Sequence, residues 1–193
     1  MSKLVTTLGC GVLILLSSAI AQPLAWQTSQ EIKHGGKIET KYDGISFETV
    51  MRLRKMRVTC GGVIKDSQKN SCVSIEVALH CPGTQVNHVG HVTVQLTFET
   101  RDWSEGHPPD QRDLAVVVDA ETVRVGRMRL LPKADTPWSE STSETLEATL
   151  SYDLFKKMIQ SQSVEMQVGR STVALKENNR AAMRDLNSRV LTQ

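Results

Sequence analysis

The sequence predicts a mainly β protein of the α+β class, built on an antiparallel sheet or β-sandwich with a short helix near 153–161 and a C-terminal amphipathic helix near 177–191. Three observations lead there. Short runs of alternating apolar and polar residues recur from Phe47 to Leu131, separated by polar loops. Apolar residues at helical spacing occur only late in the chain. Strands first and helices afterwards is the order of an α+β or sandwich domain rather than of alternating βαβ units.

The chain opens with Lys3, an apolar run from Leu8 to Leu16 and the small-residue segment Ser17-Ser18-Ala19-Ile20-Ala21. A basic start, a short apolar core and a small-x-small step are the layout of a secretory signal peptide, so residues 1–21 are expected to be cleaved near Ala21. The apolar run is shorter than the ~20 residues a membrane-crossing helix needs, and no later run approaches that length. The expected product is exported, periplasmic or extracellular, with no membrane span in the mature chain. Removing Lys3 takes the net charge from +2 to +1. That balance argues against nucleic acid as a partner, which requires clustered Lys and Arg. The basic run Arg52-Leu53-Arg54-Lys55-Met56-Arg57 alternates with apolar residues and reads as the solvent face of a strand.

Residues 22–41 read as a loose lead-in, with a short strand at Lys37–Lys41 and a turn at Tyr42-Asp43-Gly44. Residues 42–193 read as a single β-rich domain closed by the C-terminal helix. From Phe47 to Val58 the apolar residues change parity, Phe47, Met51 and Leu53 on one face and Met56 and Val58 on the other. That switch predicts one bent strand with a bulge, or two short strands. Val73–His80 and Val92–Thr100 alternate cleanly as half-buried strands, while Leu114–Val118 is apolar on both faces and should be central. Asp119–Thr122 turns the chain into Val123–Val125 and then Met128–Leu131. Glu144–Tyr152 forms another strand, and Asp153 is placed to cap a helix carrying Phe155, Met158 and Ile159 on one side. Val164–Val168, the Gly169-Arg170 turn and Val173–Leu175 form a hairpin. In the last helix Ala182, Met183, Leu186 and Val190 make the apolar stripe, with Arg180, Arg184, Asp185 and Arg189 outside it.

Cys60, Cys72 and Cys81 remain after cleavage, in a compartment where disulfides persist. Cys72 and Cys81 sit at opposite ends of one strand, too far apart to bridge. Cys60 and Cys72 flank a polar loop between two strands and are the favoured pair, although strand ends joined by a loop need not bring their Cβ atoms together.

Two groups of residues carry a chemical reading. His80, His88 and His91 fall within twelve residues, where a strand ends and the next begins, and a hairpin would gather them as ligands for zinc or copper. Exposed histidines are also ordinary at strand ends. Trp103 and Trp138 lie in predicted loops, as ligand contacts or as lids folded over the core. No nucleophile elbow and no phosphate-cradling glycine loop is present, and no cofactor is implied apart from that metal. The sequence leans away from an enzyme and towards a binding or structural protein of the cell envelope, its partner a protein, a peptide or an envelope component.

The arrangement of Tyr42-Asp43, Thr49-Val50, Met56, Val58, Leu96, Phe98, Trp103, Val116 through Asp119, Gly126, Phe155, Val164-Glu165, Val168-Gly169, Leu175, Ala182, Arg184-Asp185-Leu186 and Ser188-Arg189 resembles a family of uncharacterised secreted bacterial proteins. The resemblance spans most of the mature chain. It implies export and a single domain and supplies no catalytic set; the cysteines and the histidines are not part of it.

Overall fold

Strand β1 (Ile38–Asp43) turns back antiparallel into β2 (Glu48–Cys60), and β3 (Cys72–Pro82) and β4 (His91–Thr100) add to it in sequence order. The computed structural model describes residues 34–60, 72–100, 107–132 and 142–190. The expected signal segment and both loop tryptophans, Trp103 and Trp138, lie outside the described residues. After a 3-10 turn at Pro109–Gln111, the hairpin β5 (Asp113–Val118) and β6 (Glu121–Arg127) belongs to a second sheet. The chain returns to the first sheet through the short β7 (Arg129–Leu130) and then β8 (Thr142–Leu150). Helix α1 (Tyr152–Gln160), strands β9 (Val164–Val168) and β10 (Ser171–Ala174) and helix α2 (Glu177–Ser188) complete the molecule.

The result is two antiparallel sheets. One has six strands in the order β1-β2-β3-β4-β8-β7, the other four in the order β10-β9-β5-β6. Their inward residues join in one apolar core with α1 and α2: Leu53, Ile75, Leu79, Leu96 and Leu146 from the larger sheet, Leu114, Val116 and Met166 from the smaller, Phe155 and Leu186 from the helices. The parity change in β2 is a pair of register shifts against β3, between Leu53 and Met56 and between Arg57 and Thr59, so one long strand serves the core with both parities. β5 is central in its sheet, between β9 and β6, with Leu114, Val116 and Val118 buried and Ala115 and Val117 partly so. The hairpin to β6 turns through Asp119 (φ 46°) and Ala120 (φ 74°), the paired left-handed conformations of a tight two-residue turn. Met128, where the chain passes between sheets, is buried.

Several details depart from the sequence reading. β1 starts at Ile38, inside the short strand expected at Lys37–Lys41, and runs on through Tyr42 and Asp43, which the sequence reading gave to a turn. Ser151, not Asp153, caps α1: its hydroxyl accepts the Leu154 amide at 3.2 Å, and Asp153 instead pairs with Lys156 one turn on. α2 ends at Ser188, short of residue 191, with Asn179 Oδ1 accepting the Lys176 amide at its start. Arg180 lies inside rather than outside, its guanidinium bound to Glu177 and to the Gln162 carbonyl. No helix among the described residues is long and apolar enough to cross a membrane.

Candidate functional site

Three groupings concentrate chemistry. The first is the β1–β2 hairpin tip. Asp43 holds the turn: Oδ1 accepts the Ile45 amide and Oδ2 accepts the Ser46 hydroxyl, both at 3.0 Å. Those two bonds, the Ile45 amide foremost, hold its carboxyl below the usual carboxylate range. Phe47 closes the loop at φ 55°, a conformation a bulky side chain rarely adopts, and its carbonyl accepts the Gly83 amide at 2.8 Å. The turn so built leaves Ile45 92 % and Phe47 70 % exposed, with Tyr42 at 42 % on the strand beside them.

The second grouping lies on the outer face of the larger sheet, immediately after that tip. His80 and His91 are direct cross-strand partners on β3 and β4. β2 pairs Val50 with His80, so Glu48, two residues earlier on the same face, is the diagonal neighbour of His80. Glu48, His80 and His91 each present a ligand atom, all within 4.8 Å of one another. His80 Nδ1 lies 3.2 Å from Glu48 Oε2, and His80 Nε2 lies 3.1 Å from Thr93 Oγ1. The two imidazole rings stack, centroids 4.2 Å apart and 14° from parallel. Partial burial first, and the neighbouring His80 second, lower the pKa of His91 against the opposing pull of Glu48, which favours the neutral, metal-ligating imidazole. His88 is exposed in the β3–β4 loop and is not in the group; Glu48 takes the place the sequence reading gave it.

The third grouping is buried. His107 Nδ1 lies 2.9 Å from Glu144 Oε2 and His107 Nε2 2.9 Å from Ser171 Oγ. The His107 amide donates to the same carboxylate at 2.9 Å, and Arg112 Nε donates to the His107 carbonyl at 2.7 Å. This is the contact order of a Ser–His–acid triad. Ser171 is only 1 % exposed and His107 5 %, so the hydroxyl is packed inside the protein and not presented to a substrate. What the trio does is join β10 of one sheet to β8 of the other through a residue between β4 and β5. Sequence reading associated none of these residues, and nothing local signals them, since they are 37 and 64 positions apart.

The cysteines complete the inventory. Cys60 and Cys72 face each other across β2 and β3 and are joined by a disulfide, with Cα atoms 4.0 Å apart. Cys81 is a free thiol in the core, on the face of β3 opposite His80; burial, and then the charge of Glu48, push its pKa up, away from a reactive thiolate. Trp103 and Trp138 fall outside the described residues.

Fold and site together define a two-sheet antiparallel β domain that carries a His–His–Glu group and an apolar hairpin tip. Comparison of the chain with protein-family models, with curated proteins and with solved structures finds no match.

Proposed function

We propose that this protein is an exported, non-enzymatic binding domain of the cell envelope that engages a partner protein through the β1–β2 hairpin tip. The observation that carries this reading is the pair Ile45 and Phe47, held out in solvent by a turn that Asp43 braces through the Ile45 amide and the Ser46 hydroxyl. Large apolar side chains grouped at a surface mark interaction sites. A phenylalanine kept at φ 55° to reach that position is strain of the kind found where function demands it. The partner chemistry that fits is an apolar recess large enough for an aromatic and a branched aliphatic side chain. Export rests on the N-terminal pattern, and the mature chain should begin at Gln22.

The test compares wild type with Ile45→Ser/Phe47→Ser as baits in photo-cross-linking on envelope extract. A defined adduct formed by wild type and lost in the double variant, with both proteins folded, is the expected result. Identical adduct patterns would overturn the reading, and a chain retained in the cytoplasm with residues 1–21 still attached would overturn export.

A further inference from the structure

We infer that Glu48, His80 and His91 bind one divalent transition-metal ion of the zinc or copper class, with Thr93 as the residue that positions His80. This is independent of the docking reading above and concerns different side chains.

Ligands on three adjacent strands are fixed by backbone pairing rather than by a loose loop. The Gly90 amide donates to the His80 carbonyl at 2.8 Å, closing the β3–β4 end. Thr49 Oγ1 donates to the Gly83 carbonyl at 2.8 Å and ties the start of β2 to the turn after β3. Metal–ligand bonds of about 2.0–2.2 Å in a tetrahedral site place donor atoms roughly 3.3 Å apart. The Glu48–His80 pair, at 3.2 Å, already has that spacing. The remaining donor atom lies within 4.8 Å of both. Closing that gap means turning the His91 ring out of its stack, with no movement of backbone required by the register.

Thr93 decides which nitrogen binds. Its hydroxyl oxygen, 3.1 Å from His80 Nε2, can accept the Nε2–H and leave the Nδ1 lone pair directed towards Glu48. Metal-ligating histidines are characteristically oriented by such a bond from the other ring nitrogen. Two imidazoles and one carboxylate form a nitrogen-rich set that suits zinc and copper; calcium and magnesium prefer oxygen donors throughout. The three side chains are partly exposed, Glu48 at 26 % and His80 at 18 %, so a fourth position is open to solvent.

Titration calorimetry with Zn²⁺ and with Cu²⁺ on the purified chain, free of any histidine tag, tests the site. The expected result is one equivalent bound, with the melting temperature raised by about 5–10 °C at a free ion concentration of roughly a hundred times Kd. His91→Asn and Glu48→Gln should each weaken binding at least about tenfold, and His88→Asn should leave it unchanged. Thr93→Val should weaken binding by about 10–100-fold. Nitrogen-15 spectra of the zinc-bound chain should show His80 ligated through Nδ1, a signature that a merely structural Thr93 would not alter on substitution. Circular dichroism confirms that each variant is folded before its affinity is read. Absence of one-equivalent binding in wild type would overturn the site, as would retention of full affinity in His91→Asn/Glu48→Gln. Loss in His88→Asn alone would overturn this choice of ligands.

Discussion

Glu144 carries a nearly enclosed charge, its side chain 11 % exposed beside His107. Burial alone would raise its carboxyl pKa. The hydrogen bonds from the His107 ring and amide, with the charges of His107 and Arg112, outweigh burial and hold it below its ordinary value of 4.5. A carboxyl depressed in the folded state adds stability that is fully present above its unfolded pKa and is lost as pH falls through the lower folded pKa. Wild type should therefore lose stability below about pH 4.5 more steeply than Glu144→Gln, and the difference between their urea midpoints should shrink as pH falls. At neutral pH, Glu144→Gln should itself cost about 1–3 kcal/mol, because a charge-assisted bond to a buried ring is weakened. Equal acid slopes for the two proteins would show that Glu144 is not the titrating clamp. None of this could be read from sequence, since His107, Glu144 and Ser171 meet only when the two sheets do. His80 and His91 were legible because they end one strand and begin the next. Glu48 was not, although a signal existed: antiparallel counting outward from a Cys60–Cys72 bridge brings residue 48 close to residue 82, and the two register shifts in β2 set the final pairing of Glu48 with Pro82.

Among the elements, the helices and hairpins were the most legible because each is dictated by local chemistry. The α2 stripe is the clearest instance: Ala182, Met183 and Leu186 are fully buried, as helical spacing predicted. The errors were local too. A serine one residue before the helix outcompeted the aspartate as cap because its hydroxyl reaches the third helical amide. Arg180 went inside because Glu177 and the Gln162 carbonyl satisfy its guanidinium, which periodicity does not register. Two substitutions separate a packing element from a presenting one. Leu186→Asp places an unpaired carboxylate in the core and should cost roughly 3–5 kcal/mol, read as a fall in the urea midpoint. Phe47→Gly removes a side chain that is 70 % exposed and relieves its φ of 55°, so it should leave stability unchanged or raise it by up to about 1 kcal/mol. A large loss of stability in Phe47→Gly would mean that this side chain packs rather than presents.

Across the molecule, the inward residues of both sheets and both helices belong to one apolar cluster. No strand of either sheet has a private core, so neither sheet can lose its packing while the other keeps its own. Strand order could not be foreseen, because it depends on where β7 and β8 return to the larger sheet after β5 and β6 have started the smaller one, and the alternation of apolar residues is the same in either sheet. The shared core predicts one cooperative unfolding transition. The Cys60–Cys72 bridge lies at the end of β2 and β3 and closes a loop with a sequence separation of 12. A bridge of that span restricts the unfolded chain by about 3 kcal/mol and leaves the native packing to the core. Cys60→Ala/Cys72→Ala should therefore lower the urea midpoint by an amount corresponding to about 2–4 kcal/mol and leave the slope and the single transition intact. Far-ultraviolet circular dichroism together with methyl resonances of Leu96 in one sheet and Val116 in the other supplies the measurement. Coincident curves in both proteins are expected, whereas separate midpoints for Leu96 and Val116 would show that the sheets unfold independently and that the buried trio of His107, Glu144 and Ser171 does not join them.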